Sequence, residues 1–95
     1  MPALVVPLQR NPVICAAELD GEVCLFHPER GEYLNLNASG SAIWNLLDTP
    51  LERDELITRL LERYAVEEAD CRRDTEHFLT LALEREMLLE NAAEP

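Results

Sequence analysis

Residues 31–47 read GEYLNLNASGSAIWNLL, and the spacing of their apolar residues changes at Asn37. Before Asn37, Leu34 and Leu36 alternate with polar residues, which is the period of a β-strand. After Asn37 the apolar residues follow the 3.6-residue period of a helix, and either Asn37 or Ser39 can serve as the N-cap. The stretch therefore predicts strands before Asn37 and helices after it.

Two more strands are predicted ahead of this stretch. Val13–Leu19 and Glu22–His27 are short runs rich in apolar residues, and the turn-forming pair Asp20-Gly21 separates them. They predict a β-hairpin. The third strand, Glu32–Asn37, is half polar, as an edge strand can be.

Two more helices are predicted after the first, which ends before Pro50. The second carries an apolar stripe at helical spacing and stops near Tyr64. The third starts around Glu68 and fades at residues 87–89. The β-β-β-α-α-α order predicts an α+β fold.

A chain of 95 residues is close to the smallest size at which one hydrophobic core holds a fold without metal or disulfide. We expect a single domain at residues 13–90. Residues 1–12, with three prolines, read as an extended arm, and residues 91–95 as a flexible tail.

The chain is strongly acidic. It has eight arginines, no lysine and 19 carboxylates, with a formal net charge of −11. This charge disfavours phosphate backbones and anionic lipid, so neither nucleic acid nor a membrane is an expected partner. Because no secretory signal and no run of about 18 apolar residues is visible, we expect a cytoplasmic protein.

The cysteines and histidines show no metal-ligand spacing, so no metal is expected. The Asp20-Gly21 turn places Cys15 opposite Phe26 and Cys24 opposite Ala17. The two thiols are then diagonal neighbours about 7–8 Å apart, beyond comfortable disulfide reach. We predict that both are small buried apolar residues in a reducing compartment.

No constellation of catalytic residues is recognisable. Cys71 and His77 lie six positions apart on one predicted helix, on opposed faces, so they do not form a nucleophile and its base. Helices after strands also suggest a winged helix that enters a DNA groove. The acidic residues around the three arginines of the third helix oppose that alternative.

A half-polar edge strand beside an amphipathic helix can receive an extended peptide. The peptide's backbone pairs with the strand, and its side chains enter the groove between strand and helix. A solvent-facing strand and a dimer contact are the alternatives on the residues alone.

An ordered set of segments resembles the PqqD-like family, the RiPP recognition elements. The similarity covers about residues 12–89, and the segments are LDGEV (19–23), GEYLNLN (31–37), SAIWNLLD (41–48), DELI (54–57), Leu60-Leu61, YAV (64–66) and Asp74 to Phe78-Leu79. The family fold is a three-stranded antiparallel sheet followed by a three-helix winged-helix bundle.

The resemblance implies a non-catalytic protein without a cofactor. Such proteins bind the leader segment of a ribosomally made precursor peptide, which lies antiparallel to the third strand against the third helix, and present it to a modifying enzyme. Carried onto this chain, the peptide-binding residues are Glu32, Tyr33, Leu34, Asn35, Leu36, Cys71, Asp74, Thr75 and Phe78. Trp44, Leu47, Leu60 and Leu79 are expected in the core.

The resemblance extends to two kinds of free-standing chain. One is the discrete leader-binding protein of lasso-peptide clusters, which delivers its precursor to a separate cysteine leader peptidase, and this is the favoured reading. The other is the peptide chaperone of pyrroloquinoline quinone (PQQ) synthesis. A homodimer through the third strand is a further hypothesis. The chain departs from the family at Glu86, where Gly is common, and at Glu52, where a Thr cap is common.

Overall fold

The computed structural model describes residues 6–90, so the predicted tail at 91–95 lies outside the described residues. The elements in chain order are β1 (Leu8–Arg10), β2 (Cys15–Leu19), β3 (Glu22–His27), β4 (Glu32–Asn35), α1 (Ala38–Leu46), α2 (Arg53–Arg63), α3 (Glu68–Glu84) and β5 (Leu88–Glu90).

The main sheet has the order β2-β3-β4 and is antiparallel throughout. Its first turn has φ values of 55° at Asp20 and 83° at Gly21, as a two-residue hairpin requires. The predicted register is confirmed, because Cys15 pairs with Phe26 and Ala17 with Cys24. The α+β fold, with a three-stranded antiparallel sheet and three helices, is also confirmed.

The two faces of this sheet differ in burial. Val23, Leu25 and His27 alternate along β3 and are buried on the face that meets the helices. On the other face Cys15 is exposed and Cys24 half-buried. The prediction that both thiols are buried is therefore wrong, because in residues 6–90 no element covers their side of the sheet.

The helices surround the core that the sequence predicts. Trp44, Leu47, Leu60 and Leu79 are all buried in one cluster with Leu25 of the sheet. The α1 N-cap is Asn37, whose side-chain oxygen accepts a hydrogen bond from the Gly40 N–H at 2.9 Å. That bond satisfies one of the free amides at the helix start and fixes the point where the strand period ends.

The α2 N-cap lacks such a bond. Glu52 occupies it with extended backbone, and its side chain makes no capping hydrogen bond. We expect Glu52→Thr to raise the free energy of unfolding by about 1 kcal/mol, because a threonine hydroxyl accepts from the free amides of the first turn. Urea denaturation measures this, with Glu52→Ala as the control that removes the carboxylate and adds no cap. Equal stability of the two variants would contradict the capping argument.

The third helix ends earlier than its sequence predicts. α3 stops at Glu84, the Glu86 N–H bonds to the Leu83 carbonyl at 3.1 Å, and the Met87 N–H bonds to the Ala82 carbonyl at 2.9 Å. These two bonds form a Schellman motif with Glu86 in the left-handed region at φ 59°. The predicted fading of the helix through residues 87–89 is wrong, because this segment turns into a strand.

That strand, β5, pairs with β1 in a second, two-stranded antiparallel sheet. Leu8 is fully buried and also exchanges backbone hydrogen bonds with Leu51, at 2.7 and 3.0 Å. Arg10 donates to the Trp44 carbonyl at 2.8 and 3.1 Å and lies over the indole ring. The end of the predicted arm is thus packed onto the helices.

Ion pairs join α2 to α3 at the surface. Hydrogen bonds from Arg72 to Asp54 and Glu68 raise the pKa of this guanidinium above its usual value. Arg53 also contacts Glu76. Exposed pairs of this kind contribute little each, so the buried leucines are what hold the two helices together.

Candidate functional site

β4 is an edge strand, and its backbone groups divide between two directions. The Leu36 N–H bonds to the Val23 carbonyl at 2.8 Å, and β4 continues the same register with Leu34 opposite Leu25. Because antiparallel pairs alternate, the N–H and C=O groups of Tyr33 and Asn35 point away from β3. No strand within residues 6–90 pairs with them.

A buried serine fixes one end of β4. The Ser41 hydroxyl accepts from the Val23 N–H at 2.9 Å and donates to the Leu36 carbonyl at 3.3 Å. Ser41 is 2% exposed. Its hydroxyl therefore completes the β3–β4 ladder where the chain leaves the sheet for α1.

α3 approaches the same end of β4 through Phe78. A Cβ placed on Gly40 would lie 3.2 Å from Phe78 Cε1 and 3.4 Å from the Leu36 Cβ. Gly40 thus lets the Phe78 ring sit against the start of α1, beside Leu36, the residue that follows β4. Phe78 is half-buried, with part of its surface open to the space between α1 and α3.

The other end of β4 is tied to the end of α3. In the β3–β4 turn Arg30 donates to the Glu84 carbonyl at 3.3 Å, and it lies 3.7 Å from the Glu86 carboxylate. His27 Nδ1 accepts from the Arg30 N–H at 3.3 Å, and its Nε2 lies 3.7 Å from Glu86. β4 and the last part of α3 therefore run side by side in opposite directions.

We expect Glu86→Gly to raise the free energy of unfolding by about 1 kcal/mol. The left-handed backbone at this position costs a side-chain-bearing residue about that much, and glycine adopts it freely. The change also removes the contacts to Arg30 and His27, which run through a Glu86 carboxylate that is 58% exposed and are worth less. Thermal or urea unfolding measures the gain, and Arg85→Gly is the control, because φ there is −88° and glycine should destabilise. A loss of stability in Glu86→Gly would contradict the strain argument.

An open groove of about 1160 Å³ runs along α3. Its walls are the start of α1, the segment after α2 and one face of α3. The residues that line it include Asn37, Gly40, Ile43, Tyr64, Val66, Asp70, Cys71, Asp74, Thr75, Phe78, Leu81 and Glu84. Tyr64, Val66 and Leu81 are exposed apolar side chains, at 46%, 50% and 38%. The groove is thus apolar in part and open to solvent.

The charged residues of the groove are mostly acidic. Glu67, Asp70, Asp74 and Glu84 line it, against Arg73. Arg73 lies 3.2 Å from Asp70 and 3.4 Å from Asp74, so its charge is already shared between two carboxylates. The groove therefore presents a negative field to whatever enters it.

The structure brings part of the predicted set together. Phe78, Asp74, Thr75 and Cys71 all line the groove, the last two as buried floor residues whose Oγ1 and Sγ atoms lie 3.9 Å apart. Leu36 is buried in the core with its Cβ beside Gly40, and it is not among the residues that line the groove.

The other predicted residues of β4 are distributed over both sheet faces. Leu34 packs against the core, and Glu32 contacts Arg30 at 3.5 Å. Tyr33 lies on the uncovered face, 65% exposed, with its ring 4.6 Å from that of Phe26. Asn35 lies on the same uncovered face. Tyr33 and Asn35 therefore present only their backbone N–H and C=O groups at the open edge of β4.

Tyr64, Val66 and Leu81 line the groove but are absent from the set of residues predicted for the site. The helical spacing of the apolar residues continues from Leu60 to Tyr64, but α2 ends at Arg63 and the Tyr64 backbone is extended. The sequence signal for the end of α2 is the apolar pair Ala65-Val66 followed by the acidic pair Glu67-Glu68. This signal does not show which way the side chains of Tyr64 and Val66 face. Among residues 6–90 no cluster of His, Cys, Asp and Glu could hold a metal ion, and no helix is long and apolar enough to cross a membrane.

Comparison with known families gives a match over most of these elements. The model for PqqD, coenzyme PQQ synthesis protein D, matches residues 22–88. The chain belongs to the PqqD family. The resemblance inferred from the sequence segments is confirmed, and the matched range contains β3, β4 and all three helices. Among curated proteins, none matches this PqqD-family chain.

Two solved structures resemble the PqqD-family chain along almost its whole length. One is TbiB1 in complex with the TbiA(beta) leader peptide, with a TM-score of 0.79 and 30% identity over 90% of this chain and 99% of that one. The other is lasso peptide synthetase B1 complexed with the leader peptide, with a TM-score of 0.70 and 27% identity over 86% and 96%. Both neighbours are therefore similar in fold and are complexes with leader peptides.

Proposed function

We propose that this protein binds the leader segment of a ribosomally synthesised precursor peptide and delivers it to a maturation enzyme of a lasso-peptide pathway. The observation that carries the proposal is the unpaired edge of β4 beside the α3 groove. Membership of the PqqD family and the similarity to two leader-peptide complexes support it.

In this proposal the leader adds to β4 as an antiparallel strand. The outward N–H and C=O groups of Tyr33 and Asn35 fix its register, since backbone bonds form whatever the peptide's side chains are. Every second peptide side chain then enters the groove over Phe78 and Leu81. The acidic lining favours a leader with basic residues at the groove end near Asp70 and Asp74.

The protein contributes binding and no chemistry in this proposal. Holding the leader raises the effective concentration of the precursor at a separate enzyme. For the lasso pathway that enzyme is a cysteine leader peptidase. No catalytic residue and no cofactor is assigned, and the proposed setting is the cytoplasm, with residues 13–90 as the recognition domain.

The description of the matched family gives a second candidate, a peptide chaperone of PQQ synthesis. It would use the same edge and groove for a different precursor. Titrating the full chain against fluorescein-labelled synthetic leaders of both classes separates the two by anisotropy. We expect saturable binding of a lasso-type leader and none of a scrambled peptide with the same composition. Saturation by the PQQ precursor alone would select the second candidate, and flat curves for all peptides would overturn both.

Phe78→Trp tests the groove in the same titration. The larger ring has no room against Gly40 and must project into the groove, so we expect the leader's dissociation constant to rise at least about tenfold. Tyr33→Ala should weaken binding less, because that ring lies on the uncovered face. Phe26→Trp is the matched control on that face and should bind as the wild type does. A loss in Phe26→Trp equal to that in Phe78→Trp would reject the groove as the binding site.

A further inference from the structure

The opposite edge of the main sheet is also unpaired. All five residues of β2 are exposed, and Leu19 is 76% exposed. Natural edge strands are usually protected by charged side chains, above all lysine, or by proline, a bulge or a covering element. β2 has no lysine, no proline and an unbroken register with β3, and Glu18 is its single charged residue. Nothing within residues 6–90 covers its outer side.

The backbone of this edge has a defined pattern. On β3, residues 23 and 25 bond toward β4, so residues 22, 24 and 26 bond toward β2. Their partners on β2 are Leu19, Ala17 and Cys15. The N–H and C=O groups of Ala16 and Glu18 therefore point away from the sheet, toward any strand that joins this edge.

The pattern is complementary to itself when two β2 strands pair antiparallel about Ala17. An antiparallel pair of β2 strands centred on Ala17 places Ala16 opposite the partner's Glu18 on both sides of the two-fold axis. Each of these two pairs exchanges two backbone hydrogen bonds. If the pairing were instead centred on Glu18, each Glu18 would lie opposite the partner's Glu18. This like-charge contact disfavours that register.

The side chains and the charges fit the same register. Cys15, Ala17 and Leu19 share the uncovered face, so each Leu19 lies opposite the partner's Cys15, and one apolar surface runs across both sheets. The charge of the chain is lowest here, since residues 1–37 carry two arginines and five carboxylates. Residues 38–95, which include all three helices, carry six arginines and 14 carboxylates.

From these observations we infer that β2 is a self-association edge, through which a second copy of this chain pairs antiparallel about Ala17. The product is a six-stranded sheet in the order β4-β3-β2-β2-β3-β4. Its two outer edges are both β4, so the assembly leaves two grooves free at opposite ends. This edge differs from the third strand, which is the contact in the alternative dimer hypothesis.

The test is the mass of the full chain by analytical ultracentrifugation over a wide concentration series, under reducing conditions so that Cys15 cannot crosslink. We expect a reversible monomer–dimer equilibrium. Ala16→Glu should raise the dissociation constant about tenfold, because each dimer then holds two Glu–Glu pairs. Ala16→Glu with Glu18→Lys should restore the wild-type value, because both pairs become Glu–Lys.

Ala69→Glu is the matched control, the same substitution at an exposed position of the first turn of α3. It should leave the equilibrium unchanged, and circular dichroism checks that each variant is folded. A monomer at every concentration overturns the inference. An unchanged equilibrium in Ala16→Glu, or failure of the double variant to restore it, overturns the register. Dissociation of the dimer by leader peptide would place the contact at β4 instead, whereas absence of leader binding leaves this inference standing.

Discussion

Asn35→Pro abolishes most leader binding if the peptide adds to β4, with an expected rise of at least about tenfold in the dissociation constant. The Asn35 N–H points away from β3, so proline removes one of the outward donors that register the peptide. Its ring also occupies the space where the peptide backbone would lie. The loss of a hydrogen bond and the steric conflict both act on the complex.

The fold should survive this change. Proline is tolerated on edge strands where its missing N–H would face solvent, and the β3–β4 ladder uses Leu34 and Leu36, which are unchanged. Asn35→Ala is the control that removes the side chain and keeps the N–H, and it should bind as the wild type does. Anisotropy titration gives the affinities, and thermal unfolding shows whether both variants are equally folded.

The same idea can be tested without altering the protein. Leader peptides carrying a single N-methyl group should lose affinity at every second position and keep it at the positions between, because only alternate amides of an added strand face β4. Uniform tolerance of N-methylation along the leader, or wild-type binding by Asn35→Pro, would contradict strand addition.

Ser41→Ala should lower the free energy of unfolding by about 1–3 kcal/mol. The substitution leaves the Val23 N–H without an acceptor, in a residue that is 4% exposed, and takes away a donor to the Leu36 carbonyl. An unsatisfied buried donor costs about this much, which is more than an ordinary hydrogen bond contributes.

Urea denaturation measures the effect as a lower midpoint with an unchanged slope. Ser39→Ala is the matched control, two residues away on the same helix and exposed, and should change stability by less than about 0.5 kcal/mol. Equal midpoints for Ser41→Ala and Ser39→Ala would show that the hydroxyl bridge does not hold the end of β4.

The local signals in the sequence are sufficient to predict the strands of the main sheet and the starts of the helices. The Asp20-Gly21 turn determines the β2–β3 register, because a two-residue hairpin leaves only one pairing. Asn37 marks the change of period and is the observed N-cap. These features depend on neighbours a few residues apart, so a single sequence contains them.

The features that the sequence did not show depend on distant parts of the chain. β1 and β5 have three residues each, which is too short to show a strand period. They pair across almost the full length of the chain, so no local turn signal joins them. The sequence does not show whether Cys15 and Cys24 are buried, because both faces of the hairpin carry apolar side chains. Only the position of the helices decides which face is covered.

The pairing of β1 with β5 also has a consequence for engineering. Leu8 lies opposite Glu90, so the chain enters and leaves the described fold at neighbouring points. A module with adjacent ends can be inserted into a surface loop of another protein without pulling that loop apart. Residues 8–90 could therefore be grafted into a host enzyme as a cassette that carries the open edge of β4 with it.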